Sequence, residues 1–296
     1  MWTAMALHAG DAEAATRVAR LAAVRAGLPA PSLVRIGSSA VFRCGEAAMR
    51  VSPKGSDAAG ATRLARLLAD AGIPAPVPLA EPFDIGGWPV TIWPWLEKSS
   101  DAVDAEALGR IVAQLHALSL ADIEPVLQVP SWNQNDAADP QAALDEIRSR
   151  SLIPARELER LDAVFAEHAS WHDRAEARTV MCHGDIHPGN LLATHDRLWL
   201  IDWDSACMAP ACWDHAMLTT LELWGSPPGF YAAFARGYGR DYSADPACRD
   251  LAVLRLLTAT ASLVVRAQWD PSAMAQVQVR LRYWMGAAVP GSWHAV

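Results

Sequence analysis

The sequence predicts an α+β protein of two lobes, a small strand-rich lobe over residues 1–96 and a larger, mainly helical lobe over 97–296. Three observations lead there. Short apolar stretches separated by glycine-containing turns dominate the first third of the chain. A 3.6-residue apolar period takes over after Leu96. One polar stretch, HGDIHPGN at 183–190, then interrupts the helical part with strand-like flanks.

Taken in order, the first helix is expected from Asp11 as N-cap to Gly27 as stop, with Val18, Leu21 and Val24 among its apolar positions. Strands follow at Leu33–Ile36, Val41–Cys44 and Ala47–Ser52, separated by GSSA and GE. A helix from about Asp57 to Ala71 closes at Gly72 and Pro74. The run VPLAEPFDIGGWPVTIWPWL reads as two strands joined at Gly86–Gly87. Beyond the seam near Trp93–Lys98, Leu108, Ile111, Val112, Leu115 and Leu118 keep a helical period, as do Leu158, Leu161, Val164 and Phe165. Short strands return between Thr179 and Asp202 as TVMC, LLAT and LWLI, the last two joined at His195–Asp196. Everything beyond Trp213 reads as helix, including a long apolar segment from Leu251 to Trp269.

Composition narrows the function classes. The chain is 52% hydrophobic and carries a net charge of −8, ample for a buried core. No basic stripe exists, so nucleic acid is not an expected partner. No apolar run reaches the ~20 residues of a membrane span, and no secretory signal opens the chain. The five scattered cysteines read as reduced core thiols of a cytoplasmic protein. No internal repeat, low-complexity linker or feature demanding an obligate protein partner is evident. Residues 97–182 hold 16 acidic against 8 basic side chains, whereas 203–296 hold 7 of each.

The polar stretch carries the chemistry. Gly184, Pro188 and Gly189 make it a loop between strands. Asp185 and Asn190 offer an anion and an amide oxygen, and Asp202 ends the strand LWLI at the same edge. Two carboxylates and an amide oxygen suit Mg²⁺, a hard cation that takes oxygen ligands and keeps waters. Asp185 would then orient and deprotonate a substrate hydroxyl while the metal holds phosphate oxygens, which is phosphoryl-transfer chemistry. Two other readings stay open at this point. His183 and His187 with a carboxylate form a zinc set, although their i, i+4 spacing works best on a helix. Alternatively, His183 and Asn190 merely bond loop backbone.

HGDIHPGN followed by LIDWD resembles the aminoglycoside phosphotransferase family, which also includes choline-, homoserine- and methylthioribose-kinase-like enzymes. The shared pattern is H-G-D-x-x-x-x-N, then I-D at a strand end about a dozen residues on, and lobe order agrees over nearly the whole chain. The resemblance implies a protein-kinase-like two-lobe fold, with a nucleotide-binding lobe at 1–96 and a catalytic and acceptor-binding lobe at 97–296. It implies Asp185 as catalytic base, Asn190 and Asp202 as Mg²⁺ ligands, and ATP or GTP as phosphate donor. His183 would brace the loop, and Asp214 in CWDHA would cap a helix start. RIGSSAVFRC resembles the family's loop over the nucleotide phosphates, where Gly37 permits the turn and Ser38 and Ser39 donate. Arg50 in AAMRVS stands where such kinases place a basic residue against the phosphates. VTIWPWLEK resembles the hinge that receives the purine, through the Pro94 carbonyl and the Leu96 amide. Two departures are visible. Asp204 lies where kinases commonly place glycine, and would support the metal or touch substrate. The glutamate expected to pair with Arg50 is missing from the next helix, where Ala61 stands near its position.

The expected reaction is transfer of a γ-phosphate to a hydroxyl of a small molecule, with an antibiotic as the expected acceptor. The neutral balance of 203–296 disfavours polycationic aminoglycosides, and its tryptophans favour a nucleoside-type or other weakly charged acceptor. Trp203, beside Asp202, and Trp224 are the candidate stacking rings. A metabolic small-alcohol kinase of the same fold is the nearest alternative. A nucleotide-binding pseudokinase is another, motivated by the missing glutamate.

Overall fold

The computed structural model describes residues 11–37, 39–100, 102–119, 123, 129–134, 139–287 and 293–294. It is a kinase-like fold, with one five-stranded antiparallel sheet near the N-terminus and a largely helical remainder. The chain divides into two compact units. Unit one takes Met1–Val103, Leu118–Val129 and Gly189–Asp204, and unit two takes Asp104–Ala117, Pro130–Pro188 and Ser205–Val296.

In unit one, helix α1 (Ala12–Ala26) precedes β1 (Ser32–Ile36), β2 (Ala40–Cys44) and β3 (Ala47–Val51). Helix α2 (Ala58–Asp70), β4 (Phe83–Ile85) and β5 (Trp88–Pro94) follow, and the sheet runs β1-β2-β3-β5-β4. Strand alternation decides its two faces. Phe42, Met49 and Val51 turn inward against α1, whereas Val41 and Arg50, register partners on β2 and β3, lie on the other face. The α1 face that packs is lined by Ala15, Ala19, Ala22 and Ala23 with Val18. Leu21 and Val24, two of the apolar positions of the helix, are 60% and 83% exposed. A small-residue stripe lets the helix approach the sheet closely, so the bulkier residues fall on the outer side. Helix α2 begins at Asp57, whose carboxylate accepts the Gly60 N–H at 2.7 Å, a cap of ~1 kcal/mol.

A later hairpin completes unit one. Strands β7 (Leu191–Ala193) and β8 (Leu198–Leu200) pair antiparallel, Leu191 opposite Leu200. The hairpin is tied in by Leu200 N–H to the Pro74 carbonyl (2.9 Å) and by Ser99 N–H to the Ala193 carbonyl (2.8 Å).

Unit two contains α3 (Ala105–His116), α4 (Gln141–Arg150), α5 (Ala155–His168), α6 (Cys212–Leu218), α7 (Phe230–Tyr238), α8 (Pro246–Arg266) and α9 (Met274–Trp284). Strand β6 (Thr179–Cys182) pairs antiparallel with β9 (Cys207–Pro210). The second of these strands was not expected, because Cys-Met-Ala-Pro is too short to show an alternation. Helix α8 is the central element, packed against α4, α5, α6 and α9. Its start is set by Asp245, which accepts the Cys248 N–H at 2.9 Å, and by Pro246 in the first turn, where no N–H is needed. Helices α3 and α7 meet so closely that a Cβ on Gly109 would collide with the Phe234 carbonyl. All five cysteines are buried thiols, and among the described residues no helix is long and apolar enough to cross a membrane.

Candidate functional site

The loop after β6 begins at a buried brace. Asp214, in the first turn of α6, accepts the backbone N–H of His183 at 2.8 Å and that of Gly184 at 2.9 Å. Its Oδ2 also meets His116 Nε2 at 3.1 Å. Burial works to raise the Asp214 carboxyl, but the hydrogen bond and charge of His116, then His183 and the Gly184 N–H, outweigh it and lower its pKa. The carboxylate therefore fixes the loop as an anion. Gly184 sits at φ +86°, and a Cβ there would run into the Ser205 carbonyl. His116, Cys182 and Asp214 bring ligand atoms within 4.8 Å of one another. Both Asp214 oxygens are already taken by N–H groups, so this trio is a hydrogen-bonded brace rather than a metal centre.

Asp185 follows directly, and its N–H donates to His183 Nδ1 at 3.3 Å. His183 is fully buried in this bracing position, which removes it from any zinc set with His187. The Asp185 side chain is 38% exposed. Arg255 Nη2, on α8, donates to Oδ1 at 3.2 Å, and His187 Nε2 stands 3.5 Å from Oδ2. Burial works to raise this carboxyl too, but His187, Arg255 and His183 together hold it at about 2. Asp185 is thus ionised throughout the neutral range. Arg255 escaped the sequence reading, yet it had a signal. It is a lone charge in LAVLRLLTA with no acidic residue three or four positions away.

The other polar residues belong to unit one. Asn190 precedes β7 and Asp202 follows β8, so the antiparallel pairing brings them to one end of the hairpin, where the Ile201 N–H donates to the Asn190 carbonyl at 3.1 Å. Asn190 is buried. Asp202 has φ +65°, a left-handed conformation uncommon for a residue with a side chain and concentrated at functional sites. Its carboxylate faces two arginines, Arg35 Nη2 at 3.3 Å from Oδ2 and Arg50 Nη1 at 3.7 Å from Oδ1.

Arg50 is clamped from three sides. Its Nε donates to Ser39 Oγ at 2.5 Å, Nη1 donates to Asp204 Oδ1 at 3.0 Å, and Nη2 donates to Asp204 Oδ2. Burial works to lower its pKa, and the charges of Asp204 and Asp202 outweigh that and raise it. Arg50 thus pairs with Asp204, while Ala61 stands on α2. Ser38 lies outside the described residues. Pro94 ends β5 opposite Ala47, and Leu96 lies two residues beyond, half-buried.

The two tryptophans are placed otherwise than expected. Trp203 is buried, its indole N–H donating to the Leu200 carbonyl at 3.1 Å. Trp224 packs edge-on to Trp293 at 5.4 Å between ring centroids, with the Arg280 guanidinium 4.8 Å from its ring. Trp203 is thus part of the packing, and Trp224 is partly buried against the core.

The model of the phosphotransferase enzyme family matches residues 32–255. No curated protein matches the chain. Among solved structures, a spectinomycin phosphotransferase in complex with ADP and spectinomycin has a TM-score of 0.65 at 14% identity, over 93% of this chain and 95% of that one. An amicoumacin kinase in complex with AMP-PNP, Ca²⁺ and its antibiotic has a TM-score of 0.68 at 14% identity, over 96% and 98%. A choline/ethanolamine kinase family protein from Mesorhizobium loti has a TM-score of 0.64 at 18% identity, over 93% of each chain.

Proposed function

The chain belongs to the phosphotransferase enzyme family, and from that premise we propose that it moves the γ-phosphoryl group of ATP or GTP to a hydroxyl of a weakly charged antibiotic. The observation that carries the reading is the ionised, partly exposed Asp185 at the head of a loop, with Asn190 at the loop's end and Asp202 after the β7–β8 hairpin. Asp185 takes the hydrogen bond of the acceptor hydroxyl, points its oxygen toward phosphorus and receives the proton as the new P–O bond forms. A carboxyl held near 2 is a weak base, and phosphoryl transfer through a loose transition state asks more for orientation than for basicity.

Asn190 and Asp202 are the proposed Mg²⁺ ligands. The fit is chemical: an amide and a carboxylate, both hard oxygen donors, meet at one hairpin end, and Asp202 adopts a strained backbone to stand there. When bound, Mg²⁺ supplies charge neutralisation to the phosphate oxygens. Arg50, held by Asp204 and Ser39, would offer its remaining Nη N–H groups to the same phosphates. Ser38 and Ser39 would line the phosphate loop, and the Pro94 carbonyl and Leu96 amide would meet the purine.

Two supports favour a weakly charged acceptor. Residues 203–296 carry no net charge, and Arg255 offsets the charge of Asp185 itself; the acidic surplus of the chain lies in residues 97–182. Of the two candidate stacking rings, Trp203 is buried and Trp224 is partly buried. The test is a panel of spectinomycin, amicoumacin-like, nucleoside, macrolide and kanamycin-like antibiotics with small metabolic alcohols. Each is incubated with Mg²⁺ and ATP or GTP, then read by mass spectrometry for one added phosphoryl group. A product among weakly charged antibiotics is expected. A product only from kanamycin-like polycations, or only from small alcohols, would overturn the acceptor assignment while leaving phosphotransfer standing.

A further inference from the structure

We propose that Arg255, contributed by α8, is a positioning residue for Asp185, holding one carboxylate oxygen so that the other is presented to the acceptor hydroxyl. The inference rests on the reading of Asp185 as the group that receives the hydroxyl proton.

Arg255 is an unusual residue for its place. Its side chain is 4% exposed, and its neighbours Leu254, Leu256 and Leu257 are all core. Burying a guanidinium costs several kcal/mol unless it is paired and hydrogen-bonded, so such a residue persists only with good partners. It has three. Nη1 reaches the Trp213 carbonyl at 3.4 Å, the guanidinium carbon lies 5.6 Å from the centre of the Trp213 ring, and Nη2 donates to Asp185 Oδ1 at 3.2 Å. The first two fix the guanidinium from within the core. The third is an ion pair with a carboxylate 70 residues away in sequence.

The asymmetry of that pair is what makes it a positioning device. Arg255 is deeply buried and Asp185 is partly exposed, so the arginine approaches from the protein side and engages Oδ1 alone. Oδ2 lies beside His187 Nε2 at 3.5 Å, on a side chain that is 32% exposed. A free carboxylate rotates about its Cβ–Cγ bond. One pinned at Oδ1 by a rigid donor presents Oδ2 in one orientation, which is what a bond-forming hydroxyl requires. Helix α8 packs on four other helices of unit two, which holds the anchor in place.

The test compares Arg255→Met, Arg255→Lys and Asp185→Asn with wild type. The readouts are inorganic phosphate released from Mg²⁺–ATP with water as acceptor, ADP affinity by titration, and the urea midpoint. Arg255→Met is expected to lower kcat on the order of 10²-fold while leaving the KM for ATP and the ADP affinity within about twofold. Arg255→Lys keeps the charge on a flexible stem, and is expected to recover part of that loss. It also carries the test alone if the methionine variant does not fold, since a kcat deficit at unchanged ADP affinity is expected of it too. Wild-type kcat in Arg255→Met, or a loss of ADP affinity equal to the loss of kcat, would overturn the positioning role. Asp185→Asn separates the two ideas. If it retains turnover, the reading of Asp185 fails; if it is inactive while Arg255→Met is unimpaired, only the positioning role fails.

Discussion

Arg50 on β3 and Asp204, four residues beyond the end of β8, are joined by a two-point ion pair, with Nη1 donating to Oδ1 at 3.0 Å and Nη2 to Oδ2. They lie 154 residues apart in sequence. Arg50 therefore has a carboxylate partner although α2 carries no glutamate near Ala61.

Breaking this pair should cost nucleotide affinity. Asp204→Asn keeps the shape but removes the charge that orients Arg50, and Arg50→Lys removes the fork. Each is expected to weaken ADP binding by about 1.5–3 kcal/mol, the scale of a charge-assisted hydrogen bond. Isothermal titration of both variants checks this. Unchanged affinity in both would show that the pair does not serve the nucleotide.

Asp202→Ala and Asn190→Ala act through the metal if they are its ligands. Titrations with ADP should show a large loss in the presence of Mg²⁺ and a small one in its absence. Equal losses in both conditions would instead mark structural damage to the β7–β8 hairpin.

Much of this was legible in the sequence, and the reason is proximity. The loop residues fall within twenty positions of one another, and antiparallel pairing of two short strands is enough to bring Asn190 and Asp202 together. The strands of unit one announced themselves by alternation and turns. What could not be read depends on distant partners. Arg255 meets Asp185 only because α8 threads the middle of unit two, and Asp204 reaches Arg50 only because the 189–204 segment joins unit one. Burial of the tryptophans is another such property. Composition shows how many rings there are, and only packing shows that Trp203 is buried while Trp224 is partly buried.

His215 predicts acid sensitivity. It is buried, its Nδ1 meets Tyr231 Oη at 3.0 Å, and the rings of Phe234, Tyr238 and Tyr242 surround it. Burial, reinforced by His116 and opposed by Asp214, holds its pKa down at about 3. The unfolded chain takes up this proton below about pH 6.5 and the folded chain does not. Stability is therefore full above about 6.5 and falls as the pH drops toward 3, with a slope approaching about 1.4 kcal/mol per pH unit. Urea denaturation from pH 8 to 5 should show the slope in wild type and a shallower one in His215→Phe. Identical slopes would assign the acid sensitivity elsewhere.

Gly184→Ala tests the brace beneath the loop. The added methyl meets the Ser205 carbonyl at a backbone angle that disfavours it, and the Asp214 bonds to 183 and 184 must shift. A loss on the order of 1–3 kcal/mol in stability is expected from thermal denaturation at neutral pH, with a matching loss of turnover. A variant as stable and active as wild type would mean the loop has room that the backbone does not reveal.

The most direct measurement is phosphoryl transfer by Asp185→Asn, followed as phosphorylated acceptor from the panel and as phosphate released to water. The substitution keeps size and removes the charge that receives the proton. The expected result is a rate lower by on the order of 10²–10⁴, with ADP affinity and urea midpoint close to wild type. Turnover retained at most of the wild-type rate, with the fold intact, would contradict the assignment of Asp185 and the transfer chemistry built on it.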